Sequence, residues 1–148
     1  GGYTMNIISM IMPKMQVAYI YSDNTIRQGL EKFRAHGYTA IPVLTRDNLY
    51  YGTVTEGDFL RSIIDSENNS MKDKEKMLIS DIIRPAFNPC VHVDITMKEL
   101  FERSINQSFI PVVDDRDFFV GIVTRQKIIR YFLEEYNKSS CASEEHNG

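Results

Sequence analysis

The chain has 148 residues, 43% hydrophobic and 25% charged, which suits one compact unit or two small halves sharing a core. A net charge of −3 and a pI near 5.6 argue against a nucleic-acid-binding surface, and no stretch approaches the roughly 20 apolar residues that span a bilayer. Two cysteines, Cys90 and Cys141, form neither a metal cluster nor a disulfide framework, so free thiols in a cytoplasmic protein are expected.

Residues 1–15, GGYTMNIISMIMPKM, are apolar but short, broken by Pro13 and without a basic leader; they read as an N-terminal segment and not as a signal peptide. QVAYI at 16–20 reads as a short strand. Ile26, Leu30 and Phe33 then line one face of a helix, with Ser22, Asp23 and Asn24 available as caps and Gly37 as a stop. Residues 41–55, IPVLTRDNLYYGTVT, read as two strands around a polar turn, and Phe59, Leu60, Ile63 and Ile64 mark a second helix. A polar join follows, in which KEKMLISDII reads as a short helix before Pro85. The order then recurs: PCVHV at 89–93; a helix lined by Met97, Leu100, Phe101 and Ile105 with Asp94 or Thr96 near its start; IPVVDDRDFFVGIVT at 110–124; and a helix carrying Ile128, Ile129, Phe132 and Leu133. The tail NKSSCASEEHNG is polar and is expected to be disordered.

Set one over the other, 41–55 and 110–124 share six of fifteen residues, at the constant shift of 69 that separates Gly52 from Gly121. Each unit is strand, helix, strand, strand, helix. Such a unit leaves one sheet face bare, so the two copies are expected to pack sheet to sheet or otherwise share a core, in a fold of mixed α/β (α+β) class. The boundaries read as an N-terminal segment 1–15, repeat one at 16–66, a linker at 67–80, repeat two at 81–136 and the tail at 137–148. Asp114, Asp115 and Asp117 lack the Gly and Glu of a calcium loop and read as a hairpin turn. His36, His92 and His146 lack metal-ligand spacing, so no metal site is expected.

The sequence holds no nucleophile-and-base pair, no metal carboxylate pair in a suitable context and no Gly-rich phosphate loop, so no catalytic residue is assigned and an enzyme is not expected. Binding chemistry is present. Thr55 and Thr124 each stand just before a helix, where a hydroxyl and free backbone N–H groups can meet a phosphate. Asp58 is an acceptor suited to the two hydroxyls of a ribose; its counterpart in the second copy is Lys127.

The doubled IPV strand and doubled Gly-x-x-Thr ending, with Asp58 completing the first, resemble a CBS-domain pair, or Bateman module, over roughly residues 10–136. The resemblance implies a pseudo-two-fold pair of repeats forming a non-catalytic regulatory module with two clefts between them, which take an adenine nucleotide (AMP, ADP, ATP or cyclic di-AMP) or S-adenosylmethionine as regulatory ligand, with no covalent cofactor. Carried onto this chain, cleft one combines Thr53, Thr55 and Asp58 with Pro89, Cys90, Val91, His92, Ser108, Phe109 and Ile110. Cleft two combines Thr124, Arg125 and Gln126 with Gln16, Val17, Ala18, Tyr38, Thr39 and Ala40. Arg125 and Lys127, with Lys14 near by, make cleft two the more phosphate-directed. The pieces VAYI, GYTAIPV, SINQSFIPVV and GIVTRQ resemble small stand-alone bacterial CBS proteins that bind cyclic di-AMP in the equivalent of cleft two, although Gln16 and Gln126 stand where those proteins tend to carry basic residues. The resemblance also implies a homodimer through helices 58–66 and 126–136 and an unknown effector protein, with no nucleic-acid or membrane partner. The alternative is a CBS interaction or dimerisation module with no nucleotide.

Overall fold

The computed structural model describes residues 7–66 and 76–146, with side chains described up to residue 139. A 3-10 turn at Ile7–Met10 leads into β1 (Met12–Pro13) and a second such turn at Lys14–Gln16. The first unit follows as β2 (Ile20–Tyr21), α1 (Ile26–His36), β3 (Ala40–Leu44), β4 (Tyr50–Thr55) and α2 (Glu56–Ser66). After a 3-10 turn at Ile79–Asp81 the order returns as β5 (Val91–His92), α3 (Met97–Ser104), β6 (Phe109–Val113), β7 (Phe119–Thr124) and α4 (Arg125–His146). The architecture is the tandem β-α-β-β-α pair that the repeated punctuation predicts.

The local codes recur as well. Thr25, and not Ser22, Asp23 or Asn24, caps α1: its Oγ1 accepts the Gln28 N–H at 3.1 Å, while Gln28 Oε1 accepts the Thr25 N–H at 2.9 Å. Only the residue directly before the first turn reaches that amide, and Asn24 accepts from the Tyr21 N–H instead. Thr96 and Glu99 form the same box on α3. Thr96→Ala is expected to cost about 1 kcal/mol, read as a lower urea midpoint at unchanged slope.

Within each unit the hairpin is antiparallel and the short first strand adds in parallel, giving sheets ordered β2-β3-β4 and β1-β7-β6-β5. Pro42 faces Thr53 and Val43 faces Gly52 in one; Pro111 faces Ile122 and Val112 faces Gly121 in the other, each with an irregularity one residue on. The tips turn at Asn48 and Asp117, both at φ 67°, the left-handed region that Asn and Asp tolerate. Asp114 Oδ1 accepts the N–H groups of Arg116 and Phe118, so the acid-rich tip is a turn.

The leading segments cross over. Ile7 and Met10 are buried with Val91, Leu100 and Ile110 in the core of the second unit, and β1 pairs with β7. Reciprocally, Ile79, Ile82 and Ile83 pack into the core of the first unit, and Leu78 bridges to Thr25. Residues 7–13 of the segment set apart as 1–15 therefore contribute to the second repeat, and within the helix expected over 74–83 Ile79–Asp81 forms a short 3-10 turn on the first repeat; residues 67–75 lie outside the described residues. The glycines of the repeated motif make room for this exchange. A Cβ on Gly121 would lie 2.1 Å from the Met12 carbonyl oxygen, and one on Gly52 would lie 2.9 Å from Ile83 Cγ2.

Between the units, Val17, Leu44, Phe109, Phe119 and Ile122 form a third apolar cluster. The two hairpin tips are joined by Phe119 N–H to the Asn48 carbonyl (2.9 Å) and Asn48 Nδ2 to the Phe119 carbonyl (3.1 Å). On the outer side, Leu60 and Ile64 of α2 and Ile129, Phe132, Leu133 and Tyr136 of α4 are exposed. Helix α4 continues to His146, past the point where a disordered tail was expected; residues 137–146 contain no Gly or Pro to stop it. Among the described residues no helix is long and apolar enough to cross a membrane.

Candidate functional site

Pseudo-symmetry places two cavities between the units. Cleft two has Val17, Ala18, Ala40, Pro42, Phe109 and Ile122 as an apolar floor, and Gln16, Tyr38, Thr39, Ser108 and Thr124 as a polar rim. About 690 Å³ lies within it, open solvent at its mouth included. The structure thus gathers Gln16, Val17, Ala18, Tyr38, Thr39, Ala40 and Thr124 as expected, and adds Met12, Pro42, Ser108, Phe109 and Ile122. Met12, Gln16 and Thr124 also line an adjoining groove whose only charged residues, among the described residues, are Lys127 and Arg130; Gln126 lies there too.

That groove runs along the start of α4. Thr124 Oγ1 accepts the Lys127 N–H at 3.1 Å. The first turn of α4 carries no acid, whereas that of α2 carries Glu56 and Asp58. The positive end of the α4 dipole is therefore uncompensated within its own first turn. Lys127 and Arg130 make no ion pair among the described residues. Lys14 and Lys32 sit over the Tyr19 ring at 5.1 and 4.8 Å, on the segment just past Ala18. Arg125 behaves differently from its expected place. Its guanidinium donates to the carbonyls of Ser104 (2.9 Å) and Ile105 (3.3 Å), where a cation satisfies the C-terminus of α3. It lines the other cavity.

Cleft one, about 910 Å³ to its mouth, is bounded by Ala40, Thr53, residues 86–89, residues 106–109 and Arg125. Its polar groups are engaged with one another. The Tyr50 hydroxyl donates to the Asn88 carbonyl (2.6 Å) and accepts from the Thr53 hydroxyl (2.7 Å). Asn88 Nδ2 donates to Thr53 Oγ1 (3.1 Å), and Gln107 Nε2 donates to Asn88 Oδ1 (3.0 Å) and the Pro89 carbonyl (2.9 Å). Burial raises the Tyr50 pKa far above its ordinary value, so the hydroxyl stays neutral.

Several residues expected in cleft one lie elsewhere. Asp58 is buried: its Oδ2 accepts the Thr55 N–H at 2.8 Å, and its Oδ1 pairs with Arg61 and with Arg84 (3.2 Å). Thr55 Oγ1 in turn accepts the Asp58 N–H, closing a helix cap. Val91 and Ile110 belong to the core of the second unit. His92 is exposed and faces Asp117 Oδ1 at 2.8 Å. Cys90 is partly buried, and burial, seconded by the Asp117 carboxylate, raises its thiol pKa, which argues against a reactive thiolate. Of this set, Thr53, Pro89, Ser108 and Phe109 line the cavity. Arg130 escaped the sequence reading, although its spacing of three from Lys127 puts both on one face of a helix.

Two repeated β-α-β-β-α units with exchanged leading segments and a cleft at each junction define a tandem scaffold of the CBS type. The chain belongs to the CBS-domain family, whose model matches residues 8–65 and 79–134. It is similar to cyclic di-AMP receptor B of Bacillus subtilis strain 168, at 28% identity over 123 residues, covering 83% of this chain and 80% of that protein. It is 27% identical over 125 residues to homoserine O-acetyltransferase of Methanococcus vannielii, a match that covers 82% of this chain but 24% of that enzyme. Among solved structures the fold matches CbpB of Listeria monocytogenes in complex with c-di-AMP (TM-score 0.77, 20% identity, 89% of this chain and 98% of that one). It also matches CBSX2 in complex with AMP (TM-score 0.71, 19% identity, 91% and 99%).

Proposed function

We propose that this chain is a non-catalytic regulatory module that binds an adenine nucleotide in cleft two, with cyclic di-AMP the nucleotide that fits best. The observation that carries the reading is the continuity of an apolar cavity with a groove whose charged lining, among the described residues, is cationic. Phe109, Val17, Ile122 and Pro42 would hold an adenine by its faces, and backbone groups of 38–40 would read its edge. Thr124, the α4 N-terminus, Lys127 and Arg130 would hold phosphate. A diphosphate ring carrying two adenines uses both the apolar and the cationic parts of the site. The similarity to cyclic di-AMP receptor B points the same way.

The exposed apolar faces of α2 and α4 support a homodimer as the working state. With no reacting group in either cleft, the output passes to an effector protein. Occupancy shifts the relation of the two units only through its differential affinity for their arrangements.

A thermal-shift panel with AMP, ADP, ATP, S-adenosylmethionine and cyclic di-AMP tests the reading. Cyclic di-AMP at about 100 times its dissociation constant is expected to stabilise the protein by roughly 2.7 kcal/mol, the largest response in the panel. Absence of a shift with every nucleotide would remove the proposal.

A further inference from the structure

We infer that Arg84 withholds cleft one from nucleotides, so that each chain binds a single nucleotide, in cleft two; the inference rests on the nucleotide reading of that cleft. The two clefts carry opposite charge arrangements on matching positions. At the start of α2 stand Asp58 and, one turn on, Arg61; the same places on α4 hold Lys127 and Arg130. The exchanged segments ISDIIRP (79–85) and IISMIMP (7–13) align on their prolines and set Arg84 against Met12. In cleft two, then, two cations stand without an acid among the described residues, and the place that matches Arg84 holds the thioether of Met12. At the matching place in the first unit the acid is present, but it is paired with Arg61 and Arg84 and does not line cleft one.

The claim is complete on the acid and loose on its cover. The Asp58 side chain is 0% exposed, while Arg61 and Arg84 on it are 54% and 47% exposed. The carboxylate is thus covered by two guanidinium heads with solvent on their far side. Arg61 belongs to the same helix and pairs at i, i+3. Arg84 comes from the connection, and its guanidinium also lies 4.0 Å from the centre of the Phe87 ring. Phe87 and its neighbours Ala86 and Asn88 line cleft one, with Ala86 and Asn88 held at φ 57° and 55°. Left-handed backbone at a non-glycine costs of order 1 kcal/mol or more and persists only where surroundings enforce it. Here the Asn88 hydrogen bonds and the Arg84 tie enforce it. Arg84 therefore shares with Arg61 the neutralisation of Asp58, and it alone of the two also stacks on Phe87 in the wall of the cavity. A ligand that needed Asp58 would have to displace a charge-assisted pair first.

Isothermal titration with AMP, 2′-deoxy-AMP and cyclic di-AMP tests this on the full chain. Wild type is expected to bind cyclic di-AMP at one per chain. Arg84→Met, which keeps the packing on Phe87 without the charge, is expected to gain a separate AMP event. That event should be weaker by tenfold or more for 2′-deoxy-AMP, which lacks one diol donor, and absent from the Arg84→Met/Asp58→Asn double variant. If wild type already binds two nucleotides per chain and Asp58→Asn removes one, the inference is overturned while the function proposed above stands. If wild type binds none but Arg84→Met binds AMP, the reading of cleft two fails and the role of Arg84 stands. A folded Arg84→Met with no gained site overturns the inference. So does the loss of the fold in both Arg84→Met and Arg84→Gln, since Arg84 would then be a structural tie alone.

Discussion

Replacing both Lys127 and Arg130 with Glu is expected to weaken cyclic di-AMP binding by about 100-fold, with the melting temperature of the free protein little changed. Both side chains are exposed and neither is paired among the described residues, so the fold does not depend on their charge. Hydrogen bonds to charged groups contribute roughly 1.5–3 kcal/mol each, and exposed groups belong at the lower end. Two of them give about 3 kcal/mol, which is about two decades in affinity. The loss should be steeper at low ionic strength, because screening within a Debye length of about 10 Å at 0.1 M salt weakens exposed pairs. Titration at two salt concentrations checks both statements. Equal affinity in the variant and wild type would place the phosphates elsewhere, with Arg125 at the mouth of cleft one the next basic group to examine.

What could be read in advance follows from the range of the interactions. The hairpins, their turns and the amphipathic faces are encoded within about fifteen residues, so writing them twice made the pair visible. Thr124 could be placed for the same reason, since a cap depends on its immediate neighbours. The crossing of the leading segments could not, because their burial depends on surfaces distant in the chain: Ile7 packs with Val91 and Leu100, and Ile79 with Ile20 and Phe33. The match of IISMIMP with ISDIIRP was present, but at a shift of 72 and not 69: the first copy is longer by one residue between proline and cap (Pro13 to Thr25 against Pro85 to Thr96) and by two between cap and hairpin (Thr25 to Pro42 against Thr96 to Pro111). Asp58 was legible as an acid at a helix start, and its fate was decided by Arg84, 26 positions on, in a segment that carries no helical periodicity. Arg125 was legible as a cation near cleft two, yet the unsatisfied carbonyls of Ser104 and Ile105 fix its direction. A motif thus predicted which residues stand near a cleft and failed on those that bond a distant segment.

Gly121→Ala is expected to lower stability by about 3 kcal/mol, well beyond the effect of Gly52→Ala, although the two glycines hold the same place in the repeat. The added Cβ at 121 meets backbone, 2.1 Å from the Met12 carbonyl oxygen and 3.0 Å from its carbon. Backbone within a paired strand cannot turn aside, so β1 must leave β7. With it would go the pairing of Met12 with Ile122 and the seat of Ile7 and Met10 in the second core. At 52 the added Cβ meets Ile83 Cγ2 at 2.9 Å, the methyl of a side chain with other rotamers available, and the expected cost is about 1 kcal/mol. Urea titration of both variants measures the difference. The same pair also separates stability from binding. Met12 walls both cleft two and the cationic groove, so displacement of β1 removes part of the proposed site, whereas Ile83 touches neither. Gly121→Ala should therefore lose nucleotide affinity at a temperature where it is still folded, and Gly52→Ala should retain it. Equal destabilisation by the two substitutions would show that β1 is free to move off its neighbour without cost, and would detach the exchanged segment from the function proposed for the cleft.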